Sequence, residues 1–435
     1  MSSGPAVRRV LVVGSGGREH SLAWRLARDP DAPEVLVAPG NAGMSREFEC
    51  LDVAAGDADG LLSACRRRAV DLVVVGPEQP LAAGLVDTLS AGGVTVFGPV
   101  AEAARLESSK WFAKGVMEEA GIPTARADSF EDPARALAAL SGFGPPWVIK
   151  ADGLAAGKGV RVTRDRPEAE EFLRACLGGG RFGASGRRVV LEEFLDGEEV
   201  SIMAVCDGER FAFLPSARDF KRAHDGDLGP NTGGMGAFAP HPSVDAALEE
   251  EVGCRVVGPL LAAMRARGTP YRGTLYCGLM LGSTGPRVVE FNARFGDPET
   301  QAVMPLLDGS WSSLMAGAAR GSLDPKAVSR RAGGVVSVAL TDSNYPGEPG
   351  GSGMILGLEE MSREAIVFHA GTVPEGTGWR VAGGRACYVT VRGESVESAR
   401  DAVYAAIGRL GGSGWRYRKD VAARIGATHG AGKGD

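Results

Sequence analysis

The chain has 435 residues, of which 44% are hydrophobic and 23% charged, with a formal net charge of −6. Neither disorder nor a membrane-embedded class fits these ordinary values, and at about 150 residues per domain the length predicts two to four domains. The acidic balance argues against a nucleic-acid surface, which needs clustered Lys and Arg, but leaves small anions within reach of a few local cations.

The seven cysteines (Cys50, Cys65, Cys176, Cys206, Cys254, Cys277, Cys387) are scattered, odd in number and form no C-x-x-C pair. Reduced thiols of a cytoplasmic protein are expected, not a disulfide frame or a zinc site. No apolar run approaches 18 residues and no signal-peptide core follows Met1, so no membrane segment is expected.

In chain order, Arg9–Gly14 (RVLVVG) is a short apolar run closed by glycine and followed by a helical pattern over Ser21–Arg28. Strand-like runs at Val35–Ala38, Leu72–Gly76 and Val94–Gly98 alternate with helical stretches. That alternation predicts a parallel, Rossmann-like α/β sheet with ligands at the carboxyl ends of its strands. From Glu102 the pattern is helical, then strand-like at Trp147–Lys150 and Val160–Thr163, helical over Pro167–Leu177 and strand-like at Val189–Phe194. A mixed region reaches about Pro325. The last block opens with GVVSVAL at Gly334–Leu340 and predicts a small α+β unit with strand Cys387–Val391 and helix Val396–Leu410. The Gly-rich tail, 426–435, is expected to be disordered.

The turn from Gly14 through Gly16, Gly17 and Arg18 to His20 approaches a dinucleotide fingerprint, but Glu19 stands where the third glycine belongs. The next strand ends in Ala38-Pro39 without a ribose carboxylate, so NAD is not expected. Converging N–H groups beside Arg18 suit a phosphate on another ligand; a purely structural βα turn is the alternative. The loop Gly153 to Gly159 lacks P-loop spacing and lies between two strands, which makes it a hairpin flap. Such a flap covers triphosphate oxygens with backbone N–H groups while Lys150 reaches in as a point charge. In Glu192–Glu199 a strand end passes into a hinge, where backbone near Phe194 and Leu195 would meet a purine edge; an acidic surface is the other reading.

Strict alternation over Arg287–Phe295 predicts Glu290, Asn292 and Arg294 on one face and Val289, Phe291 and Phe295 on the other. One carboxylate and one amide oxygen suit Mg²⁺, which completes its shell with water and phosphate oxygens, and Arg294 would brace a migrating phosphoryl group. Gly296-Asp297-Pro298-Glu299-Thr300 adds carboxylate and turn chemistry at the strand end. A third cluster joins Arg218-Asp219-Phe220-Lys221-Arg222 to Gly229–Gly236, where glycines let backbone close on a small ligand beside basic groups.

Seven segments stand in the order of one family: GSGGREH (14–20), PGNAG (39–43), GPEQPL (76–81), KADGLAAGKGV (150–160), EEFLDGEEVS (192–201), GPNTGGMGAF (229–238) and EFNARFGDPETQ (290–301). Over roughly residues 8–425 the chain resembles the phosphoribosylamine–glycine ligase (glycinamide ribonucleotide synthetase) family of the ATP-grasp superfamily. The resemblance implies an N-terminal phosphoribosyl-substrate domain over 1–103 and an ATP-grasp domain over 104–328 with a small mobile lid at about 122–192. A C-terminal α+β domain would follow over 329–425, with no further domain fused after it.

It further implies a ligase of purine biosynthesis in which ATP phosphorylates glycine and the amine of 5-phosphoribosylamine displaces the phosphate. Lys110, Lys150 and the flap residues Gly157, Lys158 and Gly159 would contact ATP phosphates, Glu192, Phe194 and Leu195 the adenine, and Glu199 the ribose. Glu290 and Asn292 would hold Mg²⁺ or Mn²⁺. Gly14, Gly16, Gly17, Arg18 and Asn41 would face the phosphoribosyl group. Asp219 and Lys221, with Gly233, Gly234, Met235, Gly236, Asp297 and Pro298, would close around glycine and the amine donor; Arg294, Lys221 and Asp219 would be catalytic. The implied partners are these small molecules alone, with no nucleic acid or membrane, in a monomer or weak dimer.

Three departures stand out: Ser108 replaces a common Gly, Arg218 and Phe220 replace Gln and His around Asp219, and Cys277 occupies the place of an upstream acidic metal ligand. The rival readings are another carboxylate–amine ligase and a grasp-fold binding protein that does not turn over ATP.

Overall fold

The computed structural model describes residues 6–155, 158–178 and 183–423. Gly157 of the flap and the tail expectation over 426–435 lie outside the described residues.

The N-terminal segment contains β1 (Arg9–Gly14), α1 (Gly17–Leu26), β2 (Glu34–Pro39), β3 (Glu49–Cys50), β4 (Leu72–Val75) and β5 (Val96–Phe97). They form the expected parallel sheet, in the order β3-β2-β1-β4-β5. Its central strand β1 is apolar and buried from Val10 onward because both faces are covered there. The two-residue period sorts its side chains into layers: Leu11 and Val13 pack with Leu36 and Val73, while Val10 and Val12 join Val35 and Val74. The first layer runs on into Ile202, Leu275 and Phe291 and the second into Trp311 and Leu314, so this sheet shares its core with the middle of the chain.

The middle holds two antiparallel sheets. One orders Phe211–Phe213, Glu198–Asp207, Arg272–Gly282 and Gly285–Asn292; the other orders Ala127–Phe130, Val189–Glu192, Trp147–Ala151 and Val160–Thr163. The second has a core of its own around Trp147, Ile149, Phe172 and Leu191. Lys150 pairs with Val160 across the hairpin, which places the flap at its tip as expected.

The third main sheet departs from the expected boundary. Its strands Gly334–Asp342, Arg385–Gly393 and Ile366–His369 belong to the C-terminal block, but Gly236–Ala239 and Arg218–Asp219 extend it from the middle of the chain, and Trp415–Arg416 pairs beside Gly334–Asp342. Gly236–Ala239 is buried at every position and pairs on both edges, a demand that strand alternation alone does not reveal. The helix Val396–Ile407 closes one face through Ala399, Val403 and Ile407.

Among the described residues, no helix is long and apolar enough to cross a membrane.

One polar contact ties the N-terminal segment to the middle. Buried Asp29 accepts from the backbone N–H groups of Trp311 (3.0 Å) and Ser312 (2.6 Å), capping the helix Trp311–Arg320. Arg25 pairs with Asp29 at 2.8 Å and donates to the Gly309 carbonyl at 2.6 Å. Asp29→Ala leaves two buried donors and Arg25 unmatched and is expected to cost about 2–3 kcal/mol. Asp29→Asn should cost less because it keeps an acceptor; thermal unfolding of the two variants measures the difference.

Candidate functional site

A cavity of about 670 Å³ lies where the N-terminal sheet, the two antiparallel sheets and the C-terminal block meet. That volume is in the range of small-molecule and cofactor sites. One wall is the helix Lys110–Glu119, started by Ser109, whose hydroxyl accepts from Phe112 N–H at 3.1 Å. Helical spacing i, i+3, i+4, i+7 puts Lys110, Ala113, Lys114 and Met117 on one face, and all four line the cavity.

Lys150 crosses to this wall. Its ammonium donates to the Val289 carbonyl at 3.0 Å and pairs with buried Glu192 at 2.9 Å, while Glu192 also faces Lys114 at 3.4 Å. Burial depresses Lys114 to about 8 against the opposing pull of Glu192. Leu106, Leu154, Val160 and Phe291 add apolar surface beside these charges.

Asp152 sets the two lysines relative to one another. Its carboxylate accepts from Trp111 N–H at 2.7 Å and from the Ser109 hydroxyl at 3.2 Å, and its carbonyl accepts from Lys110 N–H at 3.1 Å. The Lys110 ammonium in turn donates to the Gly153 carbonyl at 3.1 Å. The strand end that carries Lys150 is thus stapled to the start of the helix that carries Lys110.

The strand Gly285–Asn292 corrects the alternation expected for it. Gly278 pairs with Glu290 and Leu279 with Val288, so Val289 is the extra residue of a β-bulge. Val288 therefore joins Phe291 in the core, while Val289, expected on the Phe291 face, lines the cavity with Glu290, Asn292 and Arg294. The bulge also turns the Val289 carbonyl to Lys150.

Burial alone would raise the Glu290 carboxyl, but Lys221, Lys150, Lys110 and Arg294 outweigh it and hold it below the usual carboxylate range. The Glu290 carboxylate and the Asn292 amide accept no hydrogen bond from any other described residue. An anionic and a neutral oxygen with lone pairs unspent on protein fit a hard divalent cation that keeps water and phosphate oxygens in its shell. Among the described residues no group of three or more His, Cys, Asp and Glu is gathered for a metal. Cys277 pairs with Phe291 and is buried in the core, so its position does not present a third ligand to the cavity.

Arg294 pairs with Glu107 at 2.9 Å and lies 3.5 Å from Glu78; Glu107 also accepts from Ala293 N–H at 2.8 Å. Lys221 pairs with Glu199 and lies 3.5 Å from Asp219. Burial, reinforced by Glu299, Glu199 and Glu290 and opposed by Lys221, raises the Asp219 carboxyl well above its ordinary value. Arg218 instead approaches Glu198 at 3.5 Å, and Phe220 packs in the C-terminal core, so neither of these two departures lines the cavity.

Gly16, Arg18, Lys110, Lys150, Lys158, Gly159, Glu192, Asp219, Lys221, Gly233, Glu290, Asn292, Arg294 and Asp297 all converge on the cavity, and Gly14, Gly17, Asn41, Phe194, Leu195, Glu199, Gly234, Met235, Gly236 and Pro298 do not line it. The reasons are local. Gly16 N–H donates to Glu19 at 2.7 Å, so this donor of the turn is spent internally. A Cβ on Gly14 would lie 2.4 Å from Glu19 Cγ; the residue that breaks the dinucleotide fingerprint is the one these glycines accommodate. Asn41 donates to the Ser15 and His369 carbonyls at 2.8 and 2.9 Å and accepts from Gly43 and Met44, which commits it to loop structure. Gly234, at φ +108°, packs where a Cβ would meet Pro298 at 2.3 Å, and Met235 is fully buried.

Glu78, Glu107, Lys114, Tyr345 and Arg385 line the cavity without having been singled out from sequence, and Glu299 brings the carboxylate expected just past the strand end. The helical face shared with Lys110 pointed to Lys114, and GPEQPL contained Glu78; Tyr345 and Arg385 arrive from a distant block with no local signal.

Profiles for phosphoribosylglycinamide synthetase match most of the chain in series: its N domain over residues 8–107, its ATP-grasp (A) domain over 108–300 and its C domain over 335–424. The chain belongs to the phosphoribosylglycinamide synthetase family. It is 48% identical over 423 residues to a phosphoribosylamine–glycine ligase of Streptomyces coelicolor, covering 96% of this chain and 99% of that one. It is 46% identical over 418 residues to one from Phenylobacterium zucineum, covering 95% and 99%. The crystal structure of the phosphoribosylamine–glycine ligase from Thermotoga maritima superposes with a TM-score of 0.82 at 36% identity, covering 95% of this chain and all (100%) of that one. A biotin carboxylase domain from Hydrogenobacter thermophilus, at 17% identity and a TM-score of 0.70, shares the fold. The three-domain ATP-grasp architecture follows, and enzymes of this family use ATP and a divalent metal.

Within this ATP-grasp frame, Asp152→Ala is expected to raise the KM for ATP about ten-fold by releasing Lys110 from Lys150. Asp152→Asn, which keeps the acceptor for Trp111 N–H, should recover most of it in steady-state kinetics. Lys114 carries a pH prediction. Its folded value is about 8, and an unfolded lysine titrates near about 10.4. Between those values the unfolded chain holds a proton the folded chain has released, so stability from this site rises with pH across the window. Lys114→Met should remove that rise when melting temperatures of the two proteins are compared from pH 8 upward.

Proposed function

We propose that this protein is a phosphoribosylamine–glycine ligase that makes glycinamide ribonucleotide in purine biosynthesis from ATP, glycine and 5-phosphoribosylamine. The observation that carries the reading is Glu290, held ionised by four surrounding cations yet unpaired by any of them, on the same cavity as Asn292, Arg294, Asp219 and Lys221.

The chemistry starts from a poor leaving group. A glycine carboxylate oxygen attacks the γ-phosphorus, an O–P bond forms, the β–γ bridge breaks, and ADP leaves. The amine nitrogen then attacks the acyl carbon, expels phosphate and gives up a proton. Lys110, Lys150 and Lys158 hold the triphosphate, and Arg294 faces the migrating phosphoryl group; catalysis is chiefly positioning and charge neutralisation. Mg²⁺ or Mn²⁺ held by Glu290 and Asn292 would neutralise phosphate oxygens.

Adenine lies against Leu106, Met117 and Val160 towards Glu192 and the hinge at Phe194 and Leu195. Asp219, made more basic by burial and its acidic neighbours, takes the amine proton, and Lys221 faces the glycine carboxylate. The phosphoribosyl group lies towards Gly16, Arg18 and Glu78. This division assigns the N-terminal sheet to the sugar substrate and the two antiparallel sheets of the middle to ATP, while Arg218–Asp219 and Gly236–Ala239 join the sheet of the C-terminal block beside the glycine half, in a cytoplasmic enzyme.

Purified protein supplied with ATP, Mg²⁺, glycine and phosphoribosylamine generated in situ should release phosphate only when every component is present. Equal release without the sugar amine rejects the reading. Glu290→Gln should lower kcat roughly 100-fold while leaving ATP affinity within a few-fold. Unchanged turnover removes Glu290 from the site.

A further inference from the structure

The C-terminal block supplies three side chains whose contacts end on the carboxylate–amine half of the cavity. Gly233 N–H donates to the Tyr345 hydroxyl at 2.9 Å, and the Gly233 carbonyl accepts from Arg385. Both polar groups of one residue are therefore held by side chains more than a hundred residues away in the chain.

Arg385 also pairs with Asp297 at 2.7 Å, and Tyr388 donates to the other oxygen of that carboxylate at 3.0 Å. Gln301 donates to the same oxygen at 2.8 Å. Asp297 lies just past the strand that bears Glu290, so Arg385 spans the glycine loop and the end of that strand.

Next to Gly233, Thr232 donates both its N–H (2.8 Å) and its hydroxyl (2.9 Å) to the Lys221 carbonyl, and its hydroxyl accepts from Gly234 N–H at 3.0 Å. Hydrogen bonds from Tyr345 and Arg385 to Gly233, the peptide bond from Gly233 to Thr232, and the two Thr232 bonds to the Lys221 carbonyl thus connect the C-terminal block to the backbone of Lys221. Its origin is itself anchored: the Tyr345 carbonyl accepts from Arg416 at 2.6 Å, and Asp342 accepts from Asn344 and Gly350 N–H groups at 2.8 and 3.1 Å. Lys110, Lys114 and Lys150 share none of these contacts.

We infer that Tyr345 and Arg385 are positioning residues for the carboxylate–amine half of the site, fixing Gly233, Asp297 and Lys221 for the glycine substrate and leaving the ATP half untouched. The inference rests on the proposed ligase function. Side chains from the C-terminal block thereby set substrate affinity inside a site whose other named residues lie between Gly16 and Glu299.

The test is steady-state kinetics of the full-length protein with Tyr345→Phe, Tyr388→Phe, Arg385→Ala and Arg385→Lys, together with their melting temperatures. Tyr345→Phe removes one acceptor and little else. It should raise the KM for glycine by roughly five-fold, and Arg385→Ala by roughly ten-fold or more, with the KM for ATP within about two-fold. Arg385→Lys should recover part of the loss. A KM for ATP that rises in step with that for glycine, or a KM for glycine that does not move, overturns the inference. If Arg385→Ala does not fold, Tyr345→Phe decides alone. Absence of product from the unsubstituted protein would reject the ligase function itself, so the two failures are separable.

Discussion

Charge buried around one cavity has to be compensated within the protein, and the compensating partners come from distant parts of the chain. Lys150 and Lys114 share Glu192, Arg294 takes Glu107, and Arg385 takes Asp297. Removing one member of such a pair leaves a buried charge worth about 3–5 kcal/mol of destabilisation. The sheets must therefore come together in the relative positions that close these pairs. Glu290 differs in kind. Four cations stabilise its charge at a distance, but its oxygens have no direct partner among the described residues, the state a metal ligand needs.

Two local devices translate that constraint into geometry. The bulge at Val289 lets a single strand face core with Val288 and Phe291 and face the cavity with Glu290, while giving its carbonyl to Lys150. The Asp152 staple holds the hairpin strand against the helix that starts at Lys110. Each helps to place a cation within the triphosphate half of the site: the Val289 carbonyl accepts from the Lys150 ammonium, and the Asp152 contacts fix the start of the helix that carries Lys110.

Much of the site was legible because its residues sit in short motifs with regular spacing. The hairpin of Lys150 and the strand of Glu290 follow from local pattern, the parallel sheet around β1 follows from apolar runs alternating with helical stretches, and Lys110 came through the family resemblance. Alternation failed at Val289 because a bulge is a relation between two strands. The glycine clusters misled for a similar reason: Gly14 makes room for Glu19, and Gly234 for Pro298. Glycine in sequence signals a close approach but does not name what approaches.

The sequence by itself determined the parallel α/β start, the hairpin flap, the cationic and carboxylate character of the site and the family, because these rest on local period and on motifs whose residues are neighbours in the chain. Only the tertiary structure decided which polar groups are spent on protein and which remain for ligand. Asn41 and the Gly16 N–H turned out to be committed, and Glu290 and Asn292 open. It also decided that one sheet joins Arg218–Asp219 and Gly236–Ala239 to the C-terminal strands. That pairing brings Tyr345 and Arg385 to Gly233, and no local pattern encodes it, because burial and hydrogen-bond partnership are set by segments that meet only when the chain is folded.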